Sequence, residues 1–193
     1  MRSVCVFCGG NSGANPRFAE AAARVGEVIA EAGLCLVYGG SSVGLMGIAA
    51  NAALARGGKV LGVIPESLAS KEIAHQGLTE LRVVSSMHER KALMVERSDA
   101  FVALPGGFGT LDELFEILTW GQLGLHRKPI ALLNIDGYYN SLLDFLDRAV
   151  ADQLLLEQHR GMLLLEQNPD HLLLTFETYQ APHMEKWLRS SET

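Results

Sequence analysis

Three features of the sequence predict an α/β fold, with a mostly parallel sheet of about seven strands and helices on both faces. Short apolar runs alternate with amphipathic stretches along the chain, the pattern of strands joined by crossover helices. Several runs are apolar throughout, as expected of strands covered on both sides. Four of them are followed by glycines, where strand-to-helix turns would fall.

In chain order the strands are Val4–Cys8, Leu34–Tyr38, Lys59–Ile64, Leu81–Val84, Ala100–Leu104, Pro129–Leu133 and Met162–Leu165. The first helix, Pro16 to Ala32, sets Phe18, Ala22, Val25 and Ile29 on one face and stops at Gly33. Leu45 to Ala55 is alanine-rich and suited to close packing. Helices follow at Met87–Arg97, Leu111–Trp120, Tyr138–Asp152 and Asp170–Glu177, the last with Asn168 as N-cap and Pro169 at its first position. Residues 65–80 have no period, and loops of that length are often functional. Nothing in the composition divides the 193 residues, so one domain spanning 1–193 is expected.

The chain is 48% hydrophobic and 20% charged, enough to bury a core without a disulfide or metal. Its 16 Lys and Arg are scattered, and 22 Asp and Glu leave a net charge of −6. Nucleic acid or an anionic membrane would need a concentrated basic footprint. No window approaches the roughly 18 apolar residues of a membrane span, and the Val4–Cys8 run is too short for a secretory signal. A soluble, cytoplasmic protein is expected. Cys5 and Cys8 sit on opposite faces of one strand and read as small buried residues rather than a redox or metal pair. The six histidines, His75, His88, His126, His159, His171 and His183, lack the spacing of zinc ligands, so no metal is expected. Ser41 and Ser42 lack the G-x-S-x-G setting of a hydrolase nucleophile.

Three glycine loops carry the chemistry: Gly9-Gly10-Asn11-Ser12-Gly13, Gly39-Gly40-Ser41-Ser42-Val43-Gly44 and Pro105-Gly106-Gly107-Phe108-Gly109-Thr110. Any one of them is explained by a tight turn alone. Three in one domain favour a phosphate ligand, held by backbone amides and helix dipoles. The dinucleotide fingerprint and the P-loop are both absent, and the second strand ends without an acidic residue. A small monophosphate is left.

Two helix starts stand out. Ser86-Met87-His88-Glu89 fits a capping box and puts Arg90 and Lys91 in the first turn and a half, where cations oppose the helix dipole. Either an anionic ligand sits there, or both are surface charges paired with Glu89 or Glu96. Thr110-Leu111-Asp112-Glu113 also fits a capping box. Glu113 either returns that bond, or is an ionised acid that steadies a ribosyl cation or orients water. A helix start would lower its pKa. Glu116, one turn on, shares the face and suits ribose hydroxyls.

The run Pro105-Gly106-Gly107-Phe108-Gly109-Thr110-Leu111-Asp112-Glu113 resembles the PGGxGTxxE motif of the Lonely Guy family, cytokinin riboside 5′-monophosphate phosphoribohydrolases. Val6-Phe7-Cys8-Gly9-Gly10, Tyr38-Gly39-Gly40, Gly44-Leu45-Met46-Gly47 and Met87-His88-Glu89-Arg90-Lys91 extend the similarity over most of the chain. Cys8-Gly9-Gly10-Asn11-Ser12 departs from it, since many relatives have two serines after the first glycine. Some relatives carry a lysine decarboxylase label, but no pattern here suggests a pyridoxal phosphate site. The resemblance implies a doubly wound, Rossmann-like homodimer that hydrolyses adenine-type nucleoside 5′-monophosphates without metal or organic cofactor. It implies Arg90 and Glu113 as the catalytic pair. Glu72, Lys91, Gly107, Phe108, Gly109, Thr110 and Thr119 correspond to nucleotide contacts, and Met46 and Met87 to the base pocket. The loop around Gly40 would share the phosphate. The alternatives are a general AMP nucleosidase and a nucleotide or cofactor carrier without chemistry.

Overall fold

The computed structural model describes residues 1–69 and 74–182. Its strands are β1 (Ser3–Phe7), β2 (Cys35–Tyr38), β3 (Lys59–Pro65), β4 (Glu80–Val84), β5 (Ala100–Ala103), β6 (Ile130–Leu133) and β7 (Leu163–Glu166). They form one seven-stranded sheet in the order β4-β3-β2-β1-β5-β6-β7. Every pairing is parallel. Each expected strand is found within two residues of its expected ends.

The helices are α1 (Pro16–Glu31), α2 (Gly44–Ala55), the short α3 (Glu66–Leu68), α4 (Met87–Glu96), α5 (Phe108–Gln122), α6 (Asn140–Ala151), α7 (Glu157–Arg160) and α8 (Leu172–Thr178). Alternate strand residues feed two cores. Val4, Val6 and Cys8 face Val25 and Ile29 of α1, Ala49 and Ala53 of α2, and Phe176 of α8. Cys5 and Phe7 face Met94 of α4, Leu114 and Ile117 of α5, and Leu143 of α6. The two cysteines are thus buried on opposite sides, as strand geometry requires. The small residues of α2 let it approach α1 closely: a Cβ on Gly26 would lie 2.2 Å from the Ala49 carbonyl oxygen.

The aperiodic stretch 65–80 is less irregular than its sequence suggests. It begins with the last residue of β3 and the turn α3, carries a bridge from Ala74 to Ser41, and ends at the start of β4. Asn168 caps a short 3-10 turn (Pro169–His171) that leads into α8, its side chain accepting from the Asp170 amide at 3.0 Å.

Candidate functional site

The strand order reverses between β1 and β5, so the loops leaving their carboxyl ends part and open a crevice. The cleft there has a volume of about 530 Å³. It is formed by Cys8 to Ala14 after β1, Leu45 and Met46 of α2, Pro105 to Gly107 with Gly109 and Thr110, and the side chains of Phe18, Arg90, Glu113 and Tyr138.

Backbone bonds stitch the loops together. The Leu104 amide donates to the Phe7 carbonyl (2.8 Å), the Gly9 amide to Pro105 (3.1 Å) and the Leu45 amide to Gly9 (3.0 Å). Such close approach leaves no room for side chains. A Cβ on Gly44, which has φ +64°, would fall 2.3 Å from the Gly10 carbonyl, and one on Gly106 would fall 2.1 Å from Thr110 Oγ1. Gly107 and Gly109 differ, because nothing lies within 4 Å of a Cβ placed on either.

The expected capping box at Thr110 is not there. α5 begins at Phe108, three residues earlier than expected, with Gly107 as an N-cap that offers no side chain. Thr110 is buried inside the first turn, and Glu113 is turned toward Arg90. The first amides of α5 therefore have no capping side chain, at the dipole's positive end.

Arg90 arrives from the other side. Ser86 caps α4, accepting from the Glu89 amide at 3.1 Å. The Glu89 carboxylate accepts from the Ser85 amide (2.8 Å) and hydroxyl (2.7 Å), one residue earlier than in a capping box. Arg90 does not pair with Glu89 or Glu96. Its Nε donates to the Val63 carbonyl at 3.1 Å, and Nη1 lies 3.6 Å from Met87 Sδ and 3.3 Å from Glu113 Oε1. Arg90 is 8% exposed and Glu113 9%.

Glu113 is not the low-pKa carboxylate that its helix position suggested. Burial pushes it up from 4.5 to about 7, and the opposing pull of Arg90 does not restore it. Desolvation outweighs both helix position and partner charge. Beside Glu113 on α5, Glu116 and Asp112 meet Lys91 of α4 at 3.0 Å and 3.2 Å. Burial works against the lysine's charge, but these bonds hold its pKa above the ordinary value.

The remaining candidates divide. Met46 lines the cleft. Met87 is half exposed, with its sulfur on Arg90. Gly40 adopts φ +76° and accepts from the His75 amide at 2.9 Å, so its visible role is in the turn. Phe108, Glu116 and Thr119 lie outside the cleft, along a groove of about 610 Å³ with Leu111, Asp112, Phe115 and Trp120. Lys91 joins them through Glu116, and the Thr119 hydroxyl donates within α5 to the Phe115 carbonyl (2.7 Å). Glu72 lies outside the described residues.

Sequence reasoning put Phe18 on the apolar face of the first helix and Tyr138 at a helix start, and gave neither a place in the cleft. Their rings meet edge-on at 5.2 Å, and the Tyr138 hydroxyl donates to the Gly106 carbonyl at 2.8 Å. The available signal was position, since Tyr138 follows the turn after β6, beside the switch point. Among the described residues no three His, Cys, Asp or Glu side chains gather as metal ligands would.

Fold and site define a doubly wound α/β protein whose ligand cleft, at the topological switch point, has a buried Arg–Glu pair in its wall. A family model described as "possible lysine decarboxylase" matches residues 46–176, which include both members of that pair. A cytokinin riboside 5′-monophosphate phosphoribohydrolase of Arabidopsis thaliana is 48% identical over 180 residues, covering 93% of this chain and 83% of the relative. One from Oryza sativa subsp. japonica is 46% identical, covering 93% of this chain and 74% of the relative. The chain belongs to this family, the Lonely Guy family that its motifs indicate. Among solved structures, the molybdenum cofactor binding protein of Rippkaea orientalis superposes with a TM-score of 0.70 at 22% identity, covering 92% of this chain and 96% of that one. At that identity the likeness shows the fold alone.

Proposed function

We propose that the chain, as one nucleotide-binding unit, hydrolyses the N-glycosidic bond of adenine-type nucleoside 5′-monophosphates, including N6-prenylated ones. In the reaction the bond from C1′ to the base nitrogen breaks, water supplies the hydroxyl to C1′, and its other proton ends on the base. The products are free base and ribose 5-phosphate, and no co-reactant beyond water is needed. The observation that carries this reading is the buried Arg90–Glu113 contact of 3.3 Å, in a cleft of glycine loops. The names of the relatives near 48% identity support the same reaction.

In the mechanism, the amides at Gly107 to Thr110 hold the 5′-phosphate, and this remote binding energy positions C1′. Arg90 contacts the nucleotide and favours departure of the base. Glu113 meets the anomeric carbon's developing charge and takes a proton from the attacking water. A carboxyl near 7 suits proton transfer at neutral pH better than purely electrostatic support. Met46 and Met87 flank the base, Lys91 contacts the nucleotide, and Gly40 holds the loop next to the phosphate. By the family resemblance, Glu72, which lies outside the described residues, belongs with the nucleotide contacts.

Homodimerisation, by a groove on α5 bearing the 95% exposed Phe108, is part of the same proposal. It gives Phe108, Glu116 and Thr119 a place at a joint between copies. A cytoplasmic location is proposed as well, without nucleic acid or membrane partners. The net charge of −6 supports this, and no helix among the described residues is long and apolar enough to cross a membrane.

A carrier without chemistry is the competing reading, but it would have no use for a buried acid near neutrality beside a guanidinium. Incubating the protein with AMP and with isopentenyl-AMP, then separating the products by chromatography, decides between them. Free base from either nucleotide is expected, and the ratio of kcat/KM values distinguishes a prenyl-selective enzyme from a general nucleosidase. Tight nucleotide binding with no base released would replace this reading with the carrier.

A further inference from the structure

The guanidinium of Arg90 occupies the space where a side chain on Gly39 would begin. A Cβ built there would sit 2.0 Å from Arg90 Nη2 and 3.1 Å from Cζ, with Met46 Sδ at 3.0 Å. The neighbouring Gly40 needs its freedom for a different reason, since its φ of +76° is one that side chains rarely adopt. Gly39 has no positive φ. Its backbone is not in the left-handed region, so the demand for glycine here comes from the side chains across it, from Arg90 most closely and then Met46.

From the other side, Arg90 is fixed at two points: Nε on the Val63 carbonyl, in β3 next to β2, and Nη1 on Glu113. The guanidinium plane is therefore wedged between the end of β2 and the carboxylate. We infer that Gly39 is a positioning residue for the reaction: its missing side chain is the slot that holds the Arg90 guanidinium against Glu113. The colliding atoms belong to the flexible ends of side chains and not to backbone. A methyl group there would displace the arginine rather than unfold the sheet.

The assignment rests on the phosphoribohydrolase reading for its effect on rate, but not for the contact itself, so its test has two arms. The first is a double-mutant cycle of Gly39→Ala with Arg90→Ala, read by melting temperature and independent of any activity. Gly39→Ala is expected to lower the melting temperature in the wild-type background and to have little effect where Arg90→Ala has emptied the slot. If Gly39→Ala alone does not fold, the double variant is expected to fold. Equal losses in both backgrounds, or a double variant that also fails to fold, would overturn the inference.

The second arm is turnover of isopentenyl-AMP. A displacement of about 1 Å at a reacting group costs on the order of a hundredfold, so Gly39→Ala should lose about that much kcat while KM changes less than about threefold. In the Arg90→Ala background it should change kcat by less than about twofold. A Gly39→Ala protein with wild-type kcat would refute the positioning role. If the wild-type protein releases no base at all, the functional reading fails, while the melting cycle still judges the slot.

Discussion

Glu113 Oε1 lies 3.3 Å from Arg90 Nη1, both residues are nearly buried, and yet the acid is held near 7 rather than driven down by its partner. The cause is desolvation, which here exceeds the attraction of one guanidinium. A carboxyl so placed exchanges its proton at the pH where the protein would work.

The pH dependence of kcat follows. If the carboxylate form does the work, kcat rises from pH 5 to 8 through an apparent pKa of about 7, set by Glu113. Arg90 is the largest influence lowering that value, so in Arg90→Ala the acid limb moves to higher pH. Rate profiles of the two proteins check this, and coincident limbs would mean that Arg90 does not tune the acid.

The same carboxyl destabilises the fold at high pH. The unfolded chain loses this proton near 4.5 and the folded chain only near 7, so between those values the unfolded state binds fewer protons. Stability therefore falls as pH rises through that window, with the deficit complete above it. Its ceiling is about 3 kcal/mol. Glu113→Gln removes the deficit, so relative to wild type it should be more stable at pH 8 than at pH 5 in urea denaturation. An advantage independent of pH would count against the raised pKa.

The two central glycines of the α5 loop should behave differently. Gly107→Ala folds with a melting temperature close to wild type, because its Cβ meets nothing within 4 Å, but it raises KM where the methyl enters ligand space. Gly106→Ala loses stability, by about 1 to 3 kcal/mol, because its Cβ would meet Thr110 at 2.1 Å and the Gly9 amide nitrogen at 2.9 Å. Thermal melts beside KM for isopentenyl-AMP test the contrast.

The dimer is tested at Phe108, which is 95% exposed and spared any core role. The native chain of 20.9 kDa should sediment as a pair. Phe108→Asp should shift it to single chains without a lower melting temperature at matched ligand. A native protein that sediments as a single chain would remove α5 as an interface.

The inner strands were legible because parallel strands buried on both faces must be apolar throughout, as Phe101 and Val102 of β5 are. The glycine loops were legible for a related reason, since only glycine tolerates the approach of Gly44 to Gly10. The state of Glu113 was not. Sequence shows that it lies near a helix start, but not that Arg90, 23 positions away in the chain, would share its burial. The start of α5 was misplaced because Thr110 and Glu113 match the capping spacing, while tertiary packing buries both. Phe18 was assigned to the core from its helical period, and only the fold brings Tyr138 against it.

The most direct test is single-turnover cleavage of isopentenyl-AMP by Glu113→Gln, with nucleotide affinity measured alongside. The account predicts a rate at least about a hundredfold below wild type with affinity nearly unchanged. Release of base by this variant at close to the wild-type rate would contradict it.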